Sequence, residues 1–127
     1  AFVRDWRVAD EAWPDEAAPY ARPASPAARR REGFVDLGAA LPGARCAIAT
    51  RTEALGAAAA RAYELAPKGP GEIAVDGVTR ARTEKTSSAV LGHGARVRLE
   101  LAAGPHTFRV RACRAENGRL GFYLVAR

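Results

Sequence analysis

The chain has 127 residues, 48% of them hydrophobic, which suits one domain with enough apolar surface for a real core. It contains no run of eighteen or more apolar residues to make a membrane-spanning helix, and no basic-then-apolar leader marks a signal peptide. The net charge of +6 rests on arginine, with Lys68 and Lys85 the only lysines, and fits either high-GC coding or an anionic partner.

The chain opens on Ala1 and lacks methionine, as expected of a mature or excised fragment. Phe2, Trp6 and Val8 share one side of an opening strand, Phe2 to Val8. Residues 10–32 hold Pro14, Pro19, Pro23 and Pro26, and proline fixes φ and removes a backbone donor, so a long extended loop is expected. Arg29-Arg30-Arg31 reads as a solvated turn within it. A short strand over Gly33 to Leu37 and a turn over Gly38 to Gly43 follow, then a strand over Arg45 to Thr52, β-branched at Ile48, Thr50 and Thr52. Glu53 to Arg61 is alanine-rich, but Gly56 interrupts it and no amphipathic stripe develops. A turn into a strand from Ala59 to Leu65 is therefore expected rather than a helix. Lys68-Gly69-Pro70-Gly71 is a turn. Asp76-Gly77 between Glu72–Val75 and Val78–Ala81 marks a hairpin, because both central residues of a type I′ turn need positive φ. Arg82 to Ser88 is polar and expected to be exposed.

From Ala95 onward the alternation is strongest. Val97, Leu99 and Leu101 alternate with Arg96, Arg98 and Glu100, and Phe108, Val110 and Ala112 alternate with Thr107, Arg109 and Arg111. Gly104-Pro105 breaks the pattern between them, so a hairpin is expected, with Leu99 opposite Phe108 and Val97 opposite Val110. That register gathers Arg96, Arg98, Arg109 and Arg111 on one basic face, at a cost of roughly 0.2–1 kcal/mol for each pair of like charges. Gly121 to Ala126 forms a third strand, apolar on both sides and therefore expected to be central.

Catalytic and metal chemistry is not indicated. The only histidines are His93, between two glycines, and His106, beside the expected turn, and neither accompanies a nucleophile motif. Two Cys and two His are scattered singly, whereas zinc sites use close pairs, and no glycine loop has a strand-to-helix context, so no metal or cofactor is expected. Cys46 and Cys113 admit one disulfide, provided Cys46 arrives from a neighbouring strand or an end of the sheet. The free and bridged forms both stay open, and a bridge would imply an oxidising compartment. Nucleic acid is disfavoured as a partner, because no aromatic is interleaved among the four arginines.

The order Trp6-Arg7-Val8, Gly33-Phe34-Val35-Asp36-Leu37, Ile73-Ala74-Val75-Asp76-Gly77, Leu101-Ala102-Ala103-Gly104 and Gly121-Phe122-Tyr123-Leu124 resembles galactose-binding-domain-like β-sandwich modules. The resemblance implies a jelly-roll accessory module of a bacterial extracytoplasmic protein, secreted, periplasmic or at the cell surface. The resulting expectation is a single all-β antiparallel sandwich over residues 1–127, jelly-roll-like, with about eight short strands and the Pro-rich loop of residues 10–32. It is expected to be non-enzymatic and to bind carbohydrate through Trp13, Tyr20, Asp15, Glu84, Lys85 and Ser87, with Ser88 alongside. The acidic residues Asp10, Glu11, Asp15 and Glu16 lack the spacing of a calcium loop. The alternative is a structural module that docks a neighbouring protein domain through the four-arginine face.

Overall fold

Alternation decides what is buried most clearly over Gly71–Val75 and Ala95–Leu101. In a computed structural model describing residues 1–22, 32–84 and 91–127, nine strands form two antiparallel sheets that enclose one core. They are β1 (Arg7–Asp10), β2 (Ala18–Pro19), β3 (Cys46–Leu55), β4 (Ala59–Lys68), β5 (Gly71–Val75), β6 (Val78–Thr83), β7 (Ala95–Leu101), β8 (Gly104–Cys113) and β9 (Gly121–Ala126). One sheet has the order β2-β1-β3-β8-β5-β6 and the other β7-β4-β9. The expected all-β sandwich is therefore the fold. Ala47, Ala49, Val110 and Ile73 face inward from the larger sheet; Leu65, Leu99, Phe122 and Leu124 do so from the smaller. Edge-on aromatic pairs bridge the layers, Trp6 against Phe122 at 5.2 Å and Tyr63 against Phe108 at 5.5 Å between ring centroids.

The alanine-rich stretch is strand, turn and strand as expected, with β3 running to Leu55 and β4 beginning at Ala59. The Asp76-Gly77 hairpin also forms, with φ of 52° and 81° at its two central residues.

Six expectations need correction. β7 and β8 are not a hairpin: β7 pairs with β4, while β8 lies between β3 and β5 in the other sheet. Their apolar sides do face the same core, but from opposite layers, so alternation identified the buried side and not the hydrogen-bonding partner. β9 is an edge strand of its sheet rather than a central one. It is apolar on both sides because Phe2 and Phe34 cover Tyr123 from outside, at centroid distances of 5.8 and 5.0 Å, and Phe2 bridges to Val125. The opening strand is displaced to Arg7–Asp10, and of Gly33 to Leu37 only a bridge between Val35 and Phe122 remains. The expected turn after it is a short helix, α1 (Leu37–Ala40), because Asp36 caps it by accepting from the Ala39 amide at 3.0 Å. Finally, the Pro-rich loop carries structure of its own, a 3-10 turn at Pro14–Glu16 and β2, which pairs with β1.

Candidate functional site

The site begins at the end of β1. Asp10 turns the chain by accepting from the Ala12 amide through Oδ1 at 2.9 Å, and the Trp13 amide donates to the Asp10 carbonyl at 2.9 Å. Pro14, at the first position of the 3-10 turn, has its φ preset for it. Trp13 is thereby held 62% exposed, the most exposed of the large hydrophobic side chains described. An indole in this position offers a flat face to a ligand instead of filling the core.

Glu11 faces back across the sheet. Its carboxylate accepts two hydrogen bonds from Arg111, from Nε at 2.7 Å and from Nη2 at 3.1 Å. The hydrogen bonds from Arg111 hold the Glu11 carboxyl below its ordinary range, against a smaller opposing effect of burial. Arg111 lies directly opposite Glu72 on β5, and Glu72 accepts from Arg82 on β6, whose Nη2 is 3.0 Å away. Alternating charges thus cross the outer face of the sheet from Glu11 to Arg82. Beside them lies a cleft of about 300 Å³ lined by Arg111, Glu72, Arg82, Glu84, Pro70 and Gly71, together with Thr83.

The strand register places two of the expected loops at one end of the larger sheet. Asp10 pairs with Ala47, Ala47 with Ala112, Ala112 with Gly71, and Gly71 with Thr83. The Trp13 turn and Glu84 leave from the two ends of this row, four strand spacings or about 19 Å apart, with the cleft between them. Asp15 lies in the same 3-10 turn as Trp13 and is exposed. Tyr20 does not belong to this group. Its amide donates to the Trp6 carbonyl at the other end of β1, and its hydroxyl accepts from the Asp36 amide at 3.0 Å. Burial raises the Tyr20 hydroxyl pKa above the ordinary phenol value, so Tyr20 is a neutral structural clasp. Lys85, Ser87, Ser88 and Arg29 to Arg31 lie outside the described residues.

The disulfide requirement is met: Cys46 and Cys113 are opposite partners on the neighbouring strands β3 and β8, with sulfurs 2.06 Å apart. Glu11 approaches this pair, but the bridged sulfurs are not thiolate ligands and make no metal centre. The expected four-arginine face is divided. Arg96 and Arg98 stand on β7 in the smaller sheet, whereas Arg109 and Arg111 stand on β8 in the larger one.

Two further ionic sites escaped sequence reasoning because their partners are distant in the chain. Glu64 on β4 is completely buried yet bonded to the amides of Gly92 at 2.6 Å and Gly94 at 2.9 Å, and to the Arg127 guanidinium. Burial pushes its pKa up, but Arg127 and the two amides together outweigh that effect and hold it below the ordinary value. His106 places Nδ1 2.6 Å from Asp76 Oδ2 and Nε2 2.6 Å from the Ala102 carbonyl oxygen. With an acceptor at each ring nitrogen, the imidazolium is the form that satisfies both. Asp76 first, and then the Ala102 carbonyl, raise the His106 pKa, and His106 in turn lowers that of Asp76.

No family model matches the chain, and no curated protein matches it in sequence. Among solved structures it is similar to part of a GH2 beta-galacturonidase from Eisenbergiella tayi bound to glycerol, with 14% identity and a TM-score of 0.60 over 98% of this chain. It is also similar to part of a beta-glucosidase from Kluyveromyces marxianus, with 14% identity and a TM-score of 0.58 over 96% of this chain. The matched regions amount to 23% and 16% of those chains. At such identity the likeness establishes the fold: a β-sandwich of a kind found within glycoside hydrolase chains.

Proposed function

We propose that this domain is a non-catalytic carbohydrate-recognition module of a larger carbohydrate-active protein, with its site at the Trp13 end of the six-stranded sheet. The observation that carries this reading is Trp13, held exposed by the Asp10 turn at the rim of a sheet end whose cleft is lined by arginine and glutamate side chains. An oligosaccharide of several rings can span the row, offering the apolar face of one ring to the indole and the hydroxyls of the next rings to Arg111, Glu72, Arg82 and Glu84, so stacking supplies affinity and the charged groups supply orientation. The occurrence of the fold within two glycoside hydrolase chains supports a carbohydrate setting. A non-catalytic role is supported by the commitment of three groups that could otherwise transfer protons. His106 uses both ring nitrogens, Glu64 is enclosed, and Glu11 is clasped by Arg111. The disulfide supports an extracytoplasmic location.

The test is a titration of the domain against neutral glycans at low and moderate salt. Salt-resistant binding that weakens at least tenfold in Trp13→Ala and in Arg111→Ala is expected, the loss of one stacking partner on its own supporting such a factor. Binding that is unchanged in Trp13→Ala, or absent at millimolar glycan, overturns the assignment of the site.

A further inference from the structure

The largest cleft among those described lies elsewhere, on the smaller sheet. It measures about 420 Å³ and is lined by Arg61, Arg98, Arg127, Glu100, Leu99 and the alanines at 60 and 62. The strand pairing explains its shape. Arg98 on β7 is opposite Ala62 on β4, and the Arg127 amide donates to the Ala62 carbonyl at 2.8 Å, so two arginines flank an alanine in one row across the sheet. Ala60 is opposite Glu100 in the next row along β7. The floor is therefore methyl groups and backbone, low between the side chains of Arg98, Arg127 and Glu100, whereas Arg61, opposite the inward-facing Leu99, turns its side chain to the other face of the sheet, toward Glu53 of β3.

One of those guanidinium groups is already engaged on one side: Arg127 binds the buried Glu64. That pair fixes it in place, and a guanidinium has five donors, so it retains some for a ligand. Arg98 has no ion-pair partner among the described residues and is exposed. No aromatic lines the cleft, in contrast to the Trp13 end, so it offers nothing for stacking and discriminates by charge.

We infer that this cleft is a second saccharide subsite, selective for the carboxylate of an acidic sugar, in which Arg98 receives the carboxylate while Arg127 flanks it. This inference rests on the carbohydrate reading above for the saccharide part of the ligand; the requirement for an anion rests on the arginines alone. A carboxylate is planar and takes two parallel hydrogen bonds from one guanidinium, and the cleft has room for more than one sugar ring beyond it.

The experiment is an NMR titration of the amide resonances of Ala60, Ala62, Leu99 and Glu100 with a trigalacturonate, a neutral trisaccharide, acetate and sulfate as separate probes. Saturable shifts with the trigalacturonate alone are expected, weakened about tenfold or more in Arg98→Ala and only partly restored in Arg98→Lys, which has charge but no fork. Arg98 is exposed, so both variants should keep the parent melting temperature. Trp13→Ala should leave these shifts unchanged. Equal shifts with acetate or sulfate would reduce the cleft to a simple anion site and overturn the saccharide assignment. No saturation with any probe, or no effect of Arg98→Ala, would overturn the subsite altogether. Trigalacturonate binding here without glycan binding at Trp13 would sink the first site while sustaining this one, and the reverse result would do the opposite.

Discussion

Two short reversals, Asp76-Gly77 and Ala102-Ala103, separate strands that were expected to pair across them, yet the first keeps its strands together and the second sends them into different sheets. At Asp76-Gly77 both residues take positive φ, the twist of a two-residue loop matches that of the strands, and β5 and β6 stay hydrogen-bonded. At Ala102-Ala103 positive φ falls on Gly104, where β8 begins, and β8 leaves for the opposite layer. A hairpin there would have set Arg98 against Arg109 and Arg96 against Arg111. The sandwich corner separates those charges and still buries the same apolar side chains. The two reversals meet at His106, which binds Asp76 of the hairpin turn and the carbonyl of Ala102 at the corner.

The largest effect should come from the cross-link that holds β8 to β3, since the corner depends on this long-range pairing whereas the hairpin is local. Replacing both Cys46 and Cys113 by serine opens a loop of 67 residues, which should lower stability by about 4 kcal/mol on the chain-entropy account, read as the unfolding free energy from a urea titration, with the m-value rising as the unfolded chain expands. A loss below about 1 kcal/mol would mean that the sheet order alone holds the corner. Next in size, Gly77→Ala and Gly104→Ala should each cost about 1–2 kcal/mol from backbone strain alone, because a methyl group at either position meets nothing within 4 Å. If only Gly77→Ala destabilises, the corner does not need its left-handed residue.

The His106 clamp gives a test by pH. Its folded pKa is raised above the ordinary 6.5, so its contribution is complete below that value and disappears as pH rises through the folded pKa. The folded pKa of Asp76 is lowered below the ordinary 3.8, so its contribution is complete above 3.8 and disappears as pH falls through the folded pKa. The difference in melting temperature between the parent and His106→Gln should therefore be greatest between about pH 4 and 6.5 and shrink on either side. A pH-independent difference would show that the hairpin turn and the corner are not joined by charge. The smallest effect is expected from a double-mutant cycle of Arg98→Glu and Arg109→Glu. Residues in different sheets should couple by less than about 0.3 kcal/mol, whereas a hairpin would couple them by roughly 0.2–1 kcal/mol.

The sequence made the strands legible where local chemistry decides them. Asp-Gly forces the β5–β6 turn, and Gly56 breaks the alanine run into two strands. Partners were not legible, because period-2 alternation in β7 and β8 is equally consistent with strands side by side and strands face to face. The candidate site was legible in Trp13 and Glu84, whose neighbourhoods are polar and turn-rich. That Tyr20 lies apart from them was not legible, because a half-buried clasp and an exposed platform have the same composition around them. Neither Glu11 with Arg111 nor Glu64 with Gly92 and Gly94 leaves any local signal, since 100 residues separate the first pair and 28 to 30 the second set.

The outer strands of the two sheets bear on how the domain behaves in a crowded solution. A sheet that ends in an open strand can template pairing with another molecule. Here β2 is two residues long and ends in Pro19, β6 presents Arg80 and Arg82, and β7 presents Arg96 and Arg98. β9 is closed by its bridges to Phe2 and Val35. Arginines that do nothing for the core thus guard the domain against edge-to-edge aggregation, leaving Val78, 52% exposed at the start of β6, as the point where a single apolar substitution nearby would be most dangerous.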